Sequence, residues 1–203
     1  MFQKTLIILS LSAITALSQT EVTQYLSVSG GFGNLAEGDI NINTESGKSS
    51  YDQGGSFEIA YGVKLDKGVE TFPARFEIAG GYQANKMNEF DISGGGTLPL
   101  DGDVQTFSLM GNAYLDILTG SFVTPYLMIG LGGANVDFEG DDDNVFLFQI
   151  GAGAGFEVSE HWIIDLKLKA FTAPGDYNFD DGTTTATAEI SGAQVQIGAR
   201  YMF

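Results

Sequence analysis

Apolar and polar residues alternate with a period of two along most of this chain, the period of a strand whose two faces meet different media. The last ten residues show it most plainly. Val195, Ile197, Ala199, Tyr201 and Phe203 form one face, and Gln194, Gln196, Gly198 and Arg200 form the other. The same reading predicts eight strands, at roughly 23–33, 55–65, 72–84, 104–118, 122–134, 145–158, 161–172 and 189–203. In the sixth, Phe146, Phe148, Ile150, Ala152, Ala154 and Phe156 oppose Leu147, Gln149, Gly151, Gly153, Gly155 and Glu157. In the seventh, Trp162, Ile164, Leu166 and Leu168 oppose Asp165, Lys167 and Lys169. The second, third and fourth strands repeat the pattern, with Phe57, Ile59, Phe76, Ile78, Phe107 and Leu109 against Glu58, Lys64, Arg75, Glu77, Asn112 and Asp116. The fifth loses phase after Gly132-Gly133, where a bulge is expected.

The separators alternate too. Segments 34–54, 85–103, 135–144 and 173–188 are long, whereas 66–71, 119–121 and 159–160 are short. One rim is therefore looped and the other trimmed, the asymmetry of outer-membrane barrels with short periplasmic turns. One face of the strands is rich in glycine and charge and makes no apolar core, while the other is a band of Phe, Tyr, Leu and Ile. The apolar band accordingly faces outward. Phe57, Tyr82, Trp162, Tyr201 and Phe203 lie at strand ends, where aromatic girdles sit at a membrane interface. The expected architecture is all-β: an eight-stranded antiparallel up-and-down transmembrane barrel with long extracellular loops and short periplasmic turns.

The N-terminus and the composition narrow the setting. Lys4 precedes a mostly apolar run from Thr5 to Ala16, and Ala16-Leu17-Ser18 offers a small-x-small cleavage site, the layout of a secretory signal. The run is shorter than the roughly 20 residues of a membrane helix. Residues 1–18 are read as signal peptide and 19–203 as the barrel. There are no cysteines among the 203 residues, so no disulfide framework supports this exported chain. Removing Lys4 and no acid takes the formal charge from −17 to −18, which argues against nucleic acid as a partner.

The enclosed face is nonetheless balanced. Lys64, Arg75, Lys167, Lys169 and Arg200 match Glu58, Glu77, Asp116, Glu157 and Asp165 in number. Charges inside a narrow barrel are tolerated when matched and hydrogen-bonded, so these ten are expected to form a structural ion-pair network. The surplus acid lies mostly in the long separators, most densely at Asp137, Glu139, Asp141, Asp142 and Asp143.

These features resemble the small eight-stranded outer-membrane barrels of Gram-negative bacteria, the group of OmpA-like, OmpX-like and opacity-type surface proteins. The resemblance rests on patterns. Pro125-Tyr-Leu-Met-Ile-Gly-Leu-Gly-Gly133 and Phe148-Gln-Ile-Gly-Ala-Gly-Ala-Gly-Phe156 resemble the paired central strands of that group. Val195, Ile197, Ala199, Tyr201 and Phe203 resemble the C-terminal signal read by the barrel-assembly machinery. In contrast to larger OmpA-like proteins, no peptidoglycan-binding domain is expected.

Other motifs reduce to packing or solvation. Gly151-Ala-Gly-Ala-Gly155 and Gly130-Leu-Gly-Gly133 depart from GxGxxG and lead into no helical pattern, so their glycines are read as space for large lumen neighbours. His161 is the sole histidine and falls at a short turn with no patterned serine partner in the barrel, a weak basis for acid–base or nucleophilic catalysis. The acidic cluster could hold Ca²⁺ but lacks the EF-hand spacing; a solvated loop is the simpler reading. No catalytic residue, cofactor or metal is assigned.

Eight strands enclose about enough space for side chains alone. The expected function is that of a surface protein with a filled lumen, structural or mediating contacts through its acidic extracellular loops. A small-solute or ion channel is the alternative, followed by a lipid-modifying enzyme. Expected partners are outer-membrane lipid and lipopolysaccharide, the barrel-assembly machinery during insertion, and a host or surface ligand at the loops. The barrel is expected to be monomeric.

Overall fold

The computed structural model describes residues 22–36, 38–42, 45–51, 53–65, 73–92, 97–138, 141–173, 177–180, 185–188 and 191–203. Side-chain surroundings are described for 22–36, 53–65, 73–86, 104–137, 144–173 and 191–203. The expected signal at 1–18, the turn 66–71, Glu139 and the side chains of Asp141, Asp142 and Asp143 lie outside the described residues.

The described chain forms twelve strands: β1 (Val22–Leu35), β2 (Gly38–Ile42), β3 (Glu45–Tyr51), β4 (Gly54–Leu65), β5 (Ala74–Ile92), β6 (Thr97–Asp116), β7 (Val123–Phe138), β8 (Asp141–Glu157), β9 (Trp162–Thr172), β10 (Tyr177–Asp180), β11 (Thr185–Ala188) and β12 (Ser191–Met202). Eight of them close a barrel in the order β1, β4, β5, β6, β7, β8, β9, β12, with β12 returning to β1 and every pair antiparallel. These eight correspond to the eight segments predicted from alternation. Closure leaves no unpaired edge, so the backbone's donors and acceptors are met within the sheet. The final turn of the ring is tied down from both sides: the Phe203 amide donates to the Gln24 carbonyl at 2.9 Å, and the Met202 amide to the His161 carbonyl at 2.8 Å.

At the rim carrying the termini, the described connections are short. Residues 117–122 turn between β6 and β7 through Gly120, whose φ of 71° suits a residue without Cβ. The Thr119 hydroxyl donates to the Val123 carbonyl at 2.6 Å and stabilises that turn. Residues 158–161 join β8 to β9, with the Val158 amide donating to the Trp162 carbonyl at 3.0 Å.

The other rim departs from the sequence reading. Much of the separators read as loops is paired strand. β5 and β6 remain paired out to Asp91 and Thr97, and β7 and β8 out to Phe138 and Asp141. Residues 135–138 and 141–144 of that separator thus pair with each other, Asp137 opposite Asp142. β2, β3, β10 and β11 continue the ladder from β5 around the same end. Alternation there is short or lost: β2, β10 and β11 alternate over only four or five residues, and Asp141 to Asn144 are polar on both phases.

The bulge expected at Gly132-Gly133 is absent. β7 keeps continuous register with β6 from Phe138 to Tyr126 and with β8 along its whole length. The apparent slip has a side-chain cause: Tyr126, Met128 and Ala134 face inward and are buried, so apolar residues occupy both phases of this strand. Register shifts occur instead at Ser50/Tyr51 against β5 and at Met87/Glu89 against β6.

The outward set forms a continuous apolar belt. Val28, Ile59, Ile78, Leu109, Ile129, Ile150, Leu168 and Ile197, one from each barrel strand, are all exposed. A belt of that extent exceeds what monomeric soluble proteins leave in water. At the termini rim Tyr201 lies 5.0 Å from Trp162 and 5.4 Å from Phe203 between ring centroids; nearer the opposite rim, Tyr82 and Phe107 lie 4.9 Å apart.

Candidate functional site

The inward face is where the polar chemistry of the described barrel concentrates. Alternation on β4, β5, β6, β9 and β12 delivers Glu58, Arg75, Glu77, Asp116, Asp165, Lys167, Lys169 and Arg200 to it, and all eight are buried. They comprise four acids and four bases, so the interior is electrically balanced.

Nearest the termini rim, Arg200 grips Asp165 in a two-point fork, Nη2–Oδ1 at 2.8 Å and Nε–Oδ2 at 3.1 Å. Opposite it, Arg75 Nε lies 2.9 Å from both oxygens of Asp116. The Arg75 guanidinium also packs against three tyrosines, its Cζ 4.3 Å from the Tyr114 ring centroid, 4.9 Å from Tyr126 and 5.9 Å from Tyr25. Ring faces attract a cation most strongly when water is excluded, and Tyr25, Tyr114 and Tyr126 are all buried. Arg75 Nη2 makes no hydrogen bond among the described residues. Arg75 lines a cavity of about 20 Å³ with Ser27, Ser29 and Tyr126, room for one water.

The next layer holds two carboxylates by different means. Glu77 accepts from three neutral donors: Tyr114 Oη at 2.7 Å, Tyr25 Oη at 3.2 Å and Asn112 Nδ2 at 3.2 Å. Glu58 instead bridges two ammonium groups, Lys167 Nζ at 2.7 Å and Lys169 Nζ at 2.5 Å. Gln149 Nε2 donates to Asn112 Oδ1 at 2.6 Å, and Gln149 lines a cavity with Gln83, Gln194 and Gln196 of the layer above. There Gln196, Gln194, Gln83 and Asn85 hydrogen-bond in series, each donating to the next and ending on the Gly33 carbonyl. Nearer the far end of β6 to β8, Met110, Ala134, Val145, Leu147 and Ala173 form an apolar cluster with Val136 and Phe171.

The arrangement departs from the sequence expectation in three respects. Glu157 is exposed: it is the last residue of β8 and lies at the rim beyond the layers of buried charge. Lys64 is half-buried near the same mouth, lining a cavity of about 30 Å³ with Asp116, Glu157 and Arg200. The interior also contains an apolar cluster and a tyrosine cage that the sequence reading omitted. Tyr114 shares phase with Asn112 and Asp116, which would have placed it inward; Tyr25 precedes Ser27 and Ser29 at the same spacing.

The inward glycines have a measurable cause. A Cβ at Gly62 would lie 2.2 Å from Tyr25 Cζ, and one at Gly153 would lie 2.5 Å from the Tyr126 ring. They make room for the cage. His161 is exposed at its turn and stacked on Tyr201, with centroids 5.7 Å apart.

A closed antiparallel barrel with an apolar exterior and a balanced polar interior fits one solvent, the lipid bilayer. The sequence matches the family described as outer membrane protein beta-barrel domain over residues 5–203. The chain belongs to that family. Its place is therefore the bacterial outer membrane. Among solved structures it resembles Neisserial surface protein A, at 17% identity and TM-score 0.61, covering 90% of this chain and 99% of that one. It also aligns with Ail, the attachment invasion locus protein of Yersinia pestis, at 16% identity and TM-score 0.42 over 88% and 98% of the two chains. The outer membrane protease OmpT from Escherichia coli aligns at 8% identity and TM-score 0.45 over 91% and 96%. The likeness to Neisserial surface protein A shows the shared barrel fold. The comparison with curated proteins gave no match.

Proposed function

We propose that this outer-membrane barrel is a non-conducting, non-enzymatic surface protein, with its working parts in the loops rather than the lumen. The observation that carries this reading is the stacking of side chains across the interior. The Arg75–tyrosine cage, the Glu58–lysine bridge, the amide series and the apolar cluster follow one another along the axis, and the interior cavities beside the cage and above it measure about 20 and 30 Å³. Such spaces hold a water each but no continuous path for a solute.

On this reading the balanced charges serve structure, and the net negative charge belongs to the loops, where Asp137 and its acidic neighbours meet the medium. A host or surface ligand is their partner, with lipopolysaccharide beside them. The outward residues Val195, Ile197, Ala199, Tyr201 and Phe203 act as the assembly signal, and the barrel works as a monomer. Deleting Phe203 should then lower the yield of heat-modifiable barrel in cells; normal yield would refute that role.

The test of the main reading is electrical. Purified barrel in planar bilayers should give no steady single-channel currents. Reproducible unitary currents abolished by a bulky residue in the lumen would establish the channel alternative. Turnover of phospholipid that disappears in His161→Ala would establish the enzymatic one.

A further inference from the structure

The lipid-facing wall is not uniform, and one depression in it has the character of a binding site. A trough of about 440 Å³ crosses the wall from β4, at Tyr61 and Val63, over β5, β6 and β7 to Phe148 on β8. Its floor is Gly111 and Ala113 on β6. The register sets Ile78 and Leu131 on either side of Gly111, and Phe76 and Ile129 on either side of Ala113. Large side chains thus form parallel banks along a strip where β6 has almost none.

Lumen packing does not explain the glycine. A Cβ at Gly111 would meet only the Leu131 carbonyl oxygen, at the ordinary distance of 3.7 Å. A glycine inside a strand weakens it, so its presence here leaves the depth of the trough as its structural consequence.

We propose that this trough seats one acyl chain of a phospholipid from the periplasmic leaflet. Only hydrocarbon suits it, because its banks are apolar and the backbone groups of its floor are already paired in the ladders. Its height in the membrane selects the leaflet. Phe76 lies close to the start of β5 at Ala74, and Ala113 close to the end of β6 at Asp116, both at the rim with the short turns. In outer-membrane barrels that rim is periplasmic. A second copy of the barrel is a poor fit: the trough's thirteen lining residues fall well short of the roughly 20–30 residues a side of a stable interface.

Nuclear magnetic resonance on barrel in phosphatidylcholine nanodiscs, with labelled Ile and Leu methyl groups, tests this site. Ile78 and Ile197 are equally exposed, at 64%, so the second serves as a control on the same wall. Cross-peaks to acyl methylenes should be stronger at Ile78, Ile129 and Leu131 than at Ile197. Gly111→Leu should abolish that excess and leave Ile197 unchanged. Gly111→Ala, for which the backbone has room, should reduce it if the larger residue prevents folding. Equal intensities at the two sites, or an excess that survives both substitutions, overturns the proposal. So do cross-peaks to a second barrel, or, in an asymmetric bilayer, cross-peaks lost on deuterating the lipopolysaccharide chains.

Discussion

Gly62 and Gly80 occupy neighbouring strands of one barrel, yet they are glycines for different reasons. A Cβ at Gly62 would collide with Tyr25, whereas one at Gly80 would meet nothing within 4 Å. The first faces the lumen and the second the lipid. The contrast extends to every residue type. Inside, identity is set by pairwise fit: each carboxylate has named donors, and each glycine on the cage yields to a ring. Outside, the requirement is apolarity, and Val, Ile, Leu and Phe satisfy it interchangeably. Substitutions should therefore be costly inside and cheap outside.

The largest effect is expected at Glu58. Glu58→Leu leaves Lys167 and Lys169 facing each other without a counter-charge, and stranding buried charge costs at least about 3–5 kcal/mol. For a chain of this size that lowers the thermal midpoint by on the order of 10 °C, read in detergent by heat-modifiable gel migration. An unchanged midpoint would remove the bridge from the account. Next comes Arg75→Leu, which strands Asp116 and empties the tyrosine cage at a cost of about 3 kcal/mol. Arg75→Lys should recover part of the loss, since it restores the charge but not the planar group that packs between the rings. Full recovery would show that the cage contributes nothing beyond charge.

A sharper form of the contrast uses the glycines. Gly62→Ala overpacks the site against Tyr25 and should cost about 1–3 kcal/mol. Gly80→Ala, on the lipid side, should stay within about 0.5 kcal/mol of the parent. Equal shifts in the two melting curves would erase the distinction. The smallest effect is expected for Ile150→Leu on the wall, within about 0.5 kcal/mol.

The same contrast explains what the sequence disclosed. Membrane strands were legible because lipid and lumen impose opposite chemistry on alternate residues, as at Ile164, Leu166 and Leu168 against Asp165, Lys167 and Lys169. The eight buried charges follow from phase alone. Pairing partners did not, because Glu58 meets Lys167 and Lys169 across the interior, 109 and 111 residues away in the chain. Tyr126 and Met128 misled the reading of β7: apolar side chains also fill the lumen, and period-two analysis separates phases, not destinations. At the far rim, where β5 continues to Ile92 and β8 begins at Asp141, the signal is weaker: Asp141 to Asn144 are polar on both phases, and β2, β10 and β11 alternate over only four or five residues. Runs that short are hard to tell from loop in the sequence alone.

The most direct test of the two-faced barrel uses the absence of cysteine from the chain. Single cysteines at Val28, Ile59, Ile78, Leu109, Ile129, Ile150, Leu168 and Ile197 place one bimane label on each barrel strand. In reconstituted bilayers, brominated acyl chains should quench all eight labels and aqueous iodide none. Iodide quenching at any of these positions, or protection of any from the brominated lipid, would contradict a closed ring with this face in hydrocarbon.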